Sequence, residues 1–336
     1  MGAFVAKLRV RHHLFNQVSR YAERMLESKE LVVPHGEAGL RAKTLAAWVR
    51  HLYDLPWSKA RELCARGKVT VNGEVCMDAA ARVSPGSRVC VEPQGQRRRP
   101  QELSDDALVY LDNDVVVVFK PAGLMTVPFD DAHEDTLAER VRMYLKRRKG
   151  RGQELGVVQR LDKDTTGIMV FARTLAAKRH LQQQFRVHSI ERQYLAVVHG
   201  DCPAAQCDSH FIRNRGDGLR GSYGHFRKPK GPLPEDAQHA ITTVSPEERL
   251  RDATLVRCRL HSGRQHQIRI HLSEMGHPLV GESVYIRDYT GPHIAAPRPM
   301  LHATLLHFDH PRSGQRMTFE APPPRDFMAL TSVLAR

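Results

Sequence analysis

Long apolar runs are missing from this 336-residue chain. No stretch approaches the roughly 18 consecutive apolar residues that a transmembrane helix needs. The amino-terminal segment MGAFVAKLRVRHH contains no apolar core of signal-peptide length, and Ala6 stands where an N-myristoylation motif requires Ser or Thr. The sequence therefore predicts a cytoplasmic protein without a membrane anchor.

Cysteine is scarce, with six residues and no Cys-x-x-Cys pair. Cys202, Cys207 and His210 lie close together in the sequence, but no second ligand pair at zinc-finger spacing accompanies them. His266 and His271 are five positions apart, whereas two histidines that bind one metal from one helix are four apart. We therefore expect reduced, packed cysteines and no bound metal.

Nucleotide-binding loops are also missing. The segment Gly216–Gly221 formally matches G-x-G-x-x-G, but a dinucleotide site needs a strand before this motif and a helix after it. The flanking segments RNR and SYGHFRKPKGP fit neither element, and no Walker loop occurs. The sequence therefore predicts no nucleotide cofactor.

Positive charge is abundant and unevenly distributed. The 51 Lys and Arg residues against 37 Asp and Glu give a formal charge of +14, while 41% hydrophobic residues suffice for a folded core. Residues 1–100 hold 18 basic and 9 acidic side chains, and so carry most of the excess. This asymmetry predicts a basic binding module joined to a more balanced body. Nucleic acid is the preferred partner, and an anionic membrane surface is the alternative.

A regular pattern begins after residue 38 within this basic region. Thr44 can cap one helix, and Ser58 can cap a second helix that Gly67 ends. Asn72-Gly73 is a strong signal for a two-residue hairpin between short strands, and a further strand, SRVCVEP, follows. Residues 39–93 are therefore predicted to form a small module behind a 1–38 extension with some helical character between Val18 and Leu31.

Four cations lie on or just after the second predicted helix: Lys59, Arg61, Arg66 and Lys68. Such a cluster beside a tight hairpin can bind RNA phosphates, although a solvated basic helix face is the alternative. The segment WSKARELCARGKVTVNGEVCMDAAARVSPGSRVCVE resembles the alpha-L, or S-four, RNA-binding domain. The resemblance implies that residues 39–93 bind RNA as a small α/β domain.

A basic linker, residues 94–105, precedes a larger domain over residues 106–336. LVYLDNDVVVVFK is predicted to form one apolar strand, and GIMVFA, RQYLAVVHG and ATLVRCRLHSG three more. TLAERVRMYLKRRK, TLAAKRHLQQQF and RQHQIRIHLSEMG are predicted helices, and residues 201–240 a long connection. This alternation predicts a mixed α/β or α+β body with a large sheet.

Three polar residues of this domain are candidates for chemistry. Asp162 lies on a loop between Arg160 and Lys163, just before the buried strand GIMVFA, and is well placed for catalysis, although turn-forming Asp residues are common. Tyr194 shares a strand face with apolar neighbours, a position at which an ordinary core tyrosine is the commoner case. Arg269 lies at the edge of a buried helix stripe, where it can pair with a carboxylate in the core.

In their order along the chain these segments resemble the RluA-like family of pseudouridine synthases. The resemblance runs from about Ala107 to Asp326, and its motifs are VVVVFKPAGLMTVP, QRLDKDTTGIMVFA, RQYLAVVHG, HSGRQHQIRIHLSEMGHPLVGESVY and LHATLLHFDHPRSGQRMTFEAPPP. It implies an α+β pseudouridine synthase fold with a large mixed, mainly antiparallel sheet, preceded by the alpha-L domain. It also implies an enzyme that isomerises uridines in RNA to pseudouridine.

Individual roles follow from the same resemblance. It implies that Asp162 is the catalytic aspartate, that Tyr194 stacks on the target base and helps to move a proton, and that Arg269 pairs with the aspartate. Arg160 would help to fill the space that the flipped base leaves. Further candidate substrate-binding residues in these motifs are Leu161, Arg264 and Gln267. The chain departs from the family pattern at Gln159, where His is usual, and at Thr165–Gly167, where Thr-Ser-Gly is usual.

The implied reaction breaks a nitrogen–carbon bond and rejoins the uracil through carbon, so it needs no redox cofactor or metal. The uridine must leave its stack, and Asp162 would then attack the substrate or remove a sugar proton. We expect a monomer that acts on large-subunit ribosomal RNA, with transfer RNA as the alternative target. A non-catalytic RNA-binding or ribosome-assembly factor is a second hypothesis. A glycosidase is a third, but it would need a second catalytic carboxylate that nothing in the sequence nominates.

Overall fold

The computed structural model describes residues 27–34, 44–93, 102–128, 135–149, 155–228 and 231–335. The chain divides into two compact units: a first unit of residues 1–100 and 128–134, and a second unit of residues 101–127 and 135–336. Among the described residues, no helix is long and apolar enough to cross a membrane. Predictions for residues 1–26 and for most of the 94–105 linker lie outside the described residues.

The first unit contains two helices and a four-stranded antiparallel sheet of order β1-β4-β2-β3. Its elements are β1 (Lys29–Val32), α1 (Leu45–Tyr53), α2 (Trp57–Ala65), β2 (Val69–Val71), β3 (Glu74–Val75) and β4 (Arg88–Val91). Apolar side chains from both helices and from β2 and β4 form one core. The predicted helix–helix–hairpin–strand order is therefore present.

The local signals of the first unit explain its boundaries with one exception. Thr44 caps α1 by accepting a hydrogen bond from the Ala47 amide. Asn72 and Gly73 have φ values of 53° and 83°, so the hairpin turn is left-handed at both central positions, as the sequence predicted. The prediction of Ser58 as a cap is wrong, because α2 begins at Trp57, directly after Pro56.

Strand β1 is an element that the sequence analysis did not predict. Lys29–Val32 pairs antiparallel with β4, so the helical character predicted up to Leu31 is wrong for the described part of that segment. The edge of β4 offers unpaired backbone donors and acceptors, and pairing with them outweighs the local helix propensity of a short, exposed segment.

The second unit is built on an eleven-stranded sheet whose main path runs β11-β10-β12-β13-β9-β14-β8-β6-β5. Strand β15 pairs with β14, and β7 pairs with β8. Its strands are β5 (Leu108–Leu111), β6 (Val115–Lys120), β7 (Gly156–Val157), β8 (Thr166–Ala172), β9 (Glu191–His199), β10 (Ala205–Ile212), β11 (Gly221–Ser222), β12 (Gln238–Leu250), β13 (Ala253–Leu260), β14 (Leu301–Asp309) and β15 (Arg316–Glu320). The β8–β14 pair is parallel and the other described pairs of this sheet are antiparallel, so the predicted mixed, mainly antiparallel α+β fold is confirmed.

Helices cover both faces of the central strands. The described helices of this unit are α3 (Leu137–Lys149), α4 (Leu175–Arg186), α5 (Gln267–Glu274) and α6 (Arg325–Leu334). Alternate side chains of β6 and β8 pack with α3 and α5 in one cluster and with α4 in another. All seven residues of β8 are buried, which gives the strand just after Asp162 a rigid position.

Two predictions for this unit are wrong. The predicted single strand from Leu108 to Lys120 is the hairpin β5–β6, because the Asp112 carboxylate accepts hydrogen bonds from the amides of Asp114 and Val115 and stabilises a turn. The predicted long connection, residues 201–240, contains β10, β11 and the start of β12. Most residues of β10 are exposed or half-buried, so the segment has no continuous apolar signal.

Gly167 is required where β8 meets β14. Its φ is +121°, and a Cβ atom there would lie 2.1 Å from the carbonyl oxygen of Ala303. Only glycine can adopt this conformation at such a close backbone approach. The parallel β8–β14 pair can therefore start directly after the loop that carries Asp162.

Candidate active site

Asp162 lies on the loop between β7 and β8, and hydrogen bonds on both sides fix the loop. The Leu161 amide donates to the Thr126 hydroxyl at 3.1 Å, and this hydroxyl donates to the Leu161 carbonyl at 2.9 Å. The Thr165 amide donates to the Asp162 carbonyl at 3.1 Å. The Asp162 side chain remains 29% exposed, so a fixed loop presents an accessible carboxylate.

Lys120 supports this loop from inside the protein. It is fully buried at the end of β6, and its Nζ donates to the carbonyls of Pro121 (2.9 Å), Lys163 (2.6 Å) and Thr165 (2.8 Å). Burial lowers the pKa of Lys120 to about 7, and the carboxylates of Asp164 and Asp162 oppose this change. Sequence reasoning missed this residue, whose only signal was a lysine at the end of an apolar strand.

Replacing Lys120 by Met is expected to lower the free energy of unfolding by about 3 kcal/mol, because three carbonyl groups lose a buried donor. Urea unfolding measures the change. Lys146→Met, at an exposed position on α3, serves as the control and should stay within about 0.5 kcal/mol of the wild type. Equal stability of the two variants would show that the Lys120 hydrogen bonds do not stabilise the loop.

Arg269 projects from α5 toward Asp162 but binds more closely to another carboxylate. Its Nη1 lies 3.7 Å from Asp162 Oδ2, whereas Nε and Nη2 donate to the two Glu282 oxygens at 2.8 and 2.7 Å. Burial alone would raise the pKa of Glu282, but Arg269 and the backbone amides of Val284 and Tyr285 outweigh it and lower the pKa. Glu282 was not predicted; its fully buried carboxylate holds the guanidinium beside Asp162.

Tyr194 lies on β9 between β13 and β14, opposite Cys258 and Ala303. Its side chain packs in the same cluster as Ala196 and Val198, on the face that the alternation predicted. Burial raises the pKa of its hydroxyl, so the phenol remains protonated at neutral pH. The site thus places the Asp162 carboxylate near an apolar ring whose hydroxyl is protonated.

His266 is a third residue of this site that was not predicted from the sequence, after Lys120 and Glu282. It precedes α5 with a left-handed φ of 57°, and its Nδ1 forms a 2.8 Å hydrogen bond with the Tyr285 hydroxyl. Its Nε2 lies 4.0 Å from Asp162 Oδ1. Burial lowers the pKa of the imidazole, while Asp162 acts in the opposite direction. Its only sequence signal was its position just before the helix of Arg269.

Asp162, Tyr194, His266 and Arg269 line one cavity of about 570 Å³. All seven candidate residues of the second unit line it: Arg160, Leu161, Asp162, Tyr194, Arg264, Gln267 and Arg269. Arg160 is exposed at the wall, and Leu161 is buried. Gln267 is buried, and its Oε1 forms hydrogen bonds within the protein by accepting from the Ser262 hydroxyl and the Arg264 amide. The structure therefore places the predicted residues around one space of the size that small ligands occupy.

The four predicted cations of the first unit differ in availability. Lys59 and Arg66 lie 3.0 and 2.5 Å from the Glu62 carboxylate, and Lys68 is largely buried. Arg61 is exposed, and no described carboxylate lies within ion-pair distance of it. Arg61 is therefore the member of this cluster that is most accessible to a phosphate.

A group with metal-ligand chemistry lies elsewhere in the second unit. Atoms of Asp112, Asp114 and His310 lie within 4.8 Å of one another. Arg312 binds both oxygens of Asp114 at 2.6 and 3.0 Å, and His310 binds Asp112 at 2.7 Å. These contacts occupy the donor atoms, so the group forms a hydrogen-bonded network within the protein.

Comparison with known proteins agrees with this arrangement. Residues 114–274 match the family model for RNA pseudouridylate synthase, and residues 45–89 match the S4 domain. The chain is 35% identical over 283 residues to ribosomal large subunit pseudouridine synthase D of Pseudomonas aeruginosa, covering 80% of this chain and 84% of that protein. It is 32% identical to an uncharacterized RNA pseudouridine synthase of Bacillus subtilis, covering 83% and 90%.

A solved structure shares the fold. The structure of human RNA pseudouridylate synthase domain containing 4 superposes with a TM-score of 0.53 at 22% identity, covering 66% of this chain and 90% of that one. The chain belongs to the RNA pseudouridylate synthase family and carries an S4 domain. It is an isomerase that acts on RNA, so the family and enzyme class expected from the sequence motifs are confirmed.

Proposed function

We propose that this enzyme converts specific uridines of large-subunit ribosomal RNA to pseudouridine, with Asp162 as its catalytic carboxylate. The observation that supports this proposal is the position of Asp162 at the cavity wall, 3.7 Å from Arg269 and beside the buried ring of Tyr194. The ribosomal target is proposed because relatives such as that of Pseudomonas aeruginosa have this substrate in their names.

The isomerisation balances without an external reagent. The bond from N1 of uracil to C1′ of ribose breaks, the bond from C5 to C1′ forms, the proton on C5 leaves, and N1 regains a proton. Asp162 either bonds covalently to the substrate or removes a sugar proton to start the cleavage. Because electrons and atoms balance, the reaction requires no nucleotide cofactor and no redox partner.

The other residues hold the substrate in this scheme. The target uridine leaves the RNA stack and enters the cavity, where the Tyr194 ring contacts its base. Arg269 stays charged beside Asp162 because Glu282 fixes its guanidinium from the other side. The exposed Arg160 occupies the gap in the RNA, and Arg264 and Leu161 complete the wall around the nucleotide.

We assign RNA binding to residues 39–93 and catalysis to residues 106–336. We also propose that the enzyme is a monomer and that its ribosomal substrate places it in the cytoplasm. Sedimentation of the purified protein tests the monomer, and cell fractionation tests the cytoplasmic location. A stable dimer, or a protein confined to another compartment, would contradict them.

Deleting the gene is expected to remove pseudouridine from defined positions of large-subunit ribosomal RNA. Pseudouridine mapping of total RNA, compared between the deletion strain and its parent, measures this loss. The wild-type gene should restore the modification, and the Asp162→Asn variant should not. Losses confined to transfer RNA would contradict the ribosomal target, whereas the absence of any loss would contradict the proposed activity in the cell.

Arg61→Ala is expected to weaken binding about equally for RNAs that contain a target uridine and for RNAs that lack one. Contacts to phosphates do not depend on the base sequence. The slope of log K against log salt should fall in magnitude by about one unit. Filter binding of an rRNA fragment at several salt concentrations measures both quantities. Arg66→Ala is the matched control; since Arg66 is already paired with Glu62, its effect should be smaller. An Arg61 variant with an unchanged salt slope would argue against this role.

A further inference from the structure

Arg192 is a buried cation of the cavity wall that the proposed chemistry does not use. It lies on β9, two residues before Tyr194, and its side chain points to the same face of the strand. Arg192 is only 8% exposed, and it lines the same cavity as Asp162. Its Nη2 donates to the Ser262 carbonyl at 3.1 Å, and its guanidinium lies 5.3 Å from the ring centre of Phe185.

No described carboxylate compensates this charge. Three other arginines of the second unit with largely buried side chains bind acids: Arg269 binds Glu282, Arg298 binds Asp326 and Arg215 binds Asp217. In the described part of the chain no such ion pair involves Arg192, and its Nε has no hydrogen-bond partner. Burying a charge without a counter-charge is costly. The Arg192 guanidinium is therefore expected to bind an anion that comes from outside the protein.

The surroundings of Arg192 favour an anion over a neutral ligand. Arg186 and Arg264 line the same cavity with exposed side chains, and among the described residues Asp162 is the one acid in the lining. Gly263 leaves room for the guanidinium, because a Cβ atom at that position would lie 2.7 Å from Nη1. The RNA that enters the cavity brings phosphates on both sides of the flipped uridine.

From these observations we infer that Arg192 binds a backbone phosphate adjacent to the target uridine, and so positions the nucleotide against Asp162. The guanidinium offers paired donors that match a phosphate, and burial makes such a charge-assisted contact stronger than one at the surface. The inference rests on the isomerase activity on RNA and is independent of which RNA is the target.

The test uses a synthetic RNA stem-loop containing a uridine that the wild-type enzyme modifies. Each phosphate near that uridine is replaced in turn by an uncharged methylphosphonate. For the wild type, one replacement is expected to lower kcat/KM about 10- to 100-fold. Arg192→Met should show a similar loss on the unmodified RNA, a salt slope smaller by about one unit, and no further loss with that methylphosphonate. Arg249→Met, at an exposed strand position, is the control and should behave as the wild type.

Two further variants cover the case in which Arg192→Met does not fold. Arg192→Lys keeps the charge and should retain sensitivity to the same methylphosphonate. Gly263→Ala crowds Nη1 of Arg192 and should reduce this sensitivity. A wild-type enzyme insensitive to every neutral phosphate would overturn the inference. So would an Arg192 variant with lower kcat, an unchanged salt slope and the wild-type pattern of sensitivity, because a purely structural role predicts that result. Failure of the ribosomal target alone would appear earlier, in the RNA mapping, and would leave this result unaffected.

Discussion

Asp162→Asn is expected to reduce pseudouridine formation by about four orders of magnitude while leaving RNA affinity nearly unchanged. Asparagine preserves the shape of the side chain and the backbone turn to Thr165, but it removes the negative charge. A neutral amide can neither bond to the sugar as a nucleophile nor accept a proton at neutral pH. The loss should therefore fall on kcat, because the walls that hold the nucleotide remain in place.

Release of tritium from C5-labelled uridine in RNA measures the reaction of this variant, and filter binding measures its affinity. Asp164→Asn is the matched control, since Asp164 lies two residues away on the same loop but outside the cavity lining. The control should retain most of the activity. Substantial tritium release by the Asp162 variant would falsify the role proposed for this carboxylate, and equal losses in both variants would indicate a general effect on the loop.

The sequence motifs predicted the acid loop, the tyrosine strand and the arginine helix, because each is a local pattern. Asp162 precedes a buried strand, Tyr194 alternates with apolar residues, and Arg269 borders an apolar helix stripe. The enzyme class was expected only because these motifs, in their order, resemble a known family; the local patterns alone left it open. Their convergence on one cavity required the sheet, which brings β9 and the loop before β8 to opposite sides of β14.

Residues that act through long-range packing were not predictable in this way. Lys120 reaches carbonyls 43 and 45 positions away, and Arg192 has a cavity role only because β9 and the loop after β13 come together. Strand β10 was missed because its half-exposed pattern lacks an apolar signal, although pairing with β12 fixes it. Ser58 satisfied the rule for a cap, but the helix starts at Trp57 with Pro56 as its cap, two residues earlier than predicted.

Glu282→Gln is expected to lower the free energy of unfolding by about 3–5 kcal/mol, the range found when one partner of a buried ion pair is removed. Glu282 is fully buried and Arg269 is 11% exposed, so the guanidinium would lose its main partner without access to bulk water. The Gln side chain would also point an N–H group toward N–H donors whose hydrogen bonds the Glu282 carboxylate accepts in the wild type. Arg269 is then expected to move toward Asp162 and draw the carboxylate from the substrate, so kcat should fall about 100-fold with little change in KM.

The pH dependence of stability distinguishes this electrostatic account from a simple packing defect. The pKa of Glu282 is lowered in the folded protein from an ordinary value of 4.5, so the folded state favours the charged form. The pair therefore contributes its full stability above about pH 4.5 and loses it as the pH falls through the folded-state pKa. The stability difference between wild type and Glu282→Gln should accordingly shrink from pH 7 toward pH 3, as measured by urea unfolding.

Glu247→Gln, which breaks a similar Arg257–Glu247 pair with both side chains 35% exposed, should cost about 1 kcal/mol or less at pH 7. A Glu282 difference that stays constant across this pH range would mean that lost packing, and not the buried charge, weakens the variant.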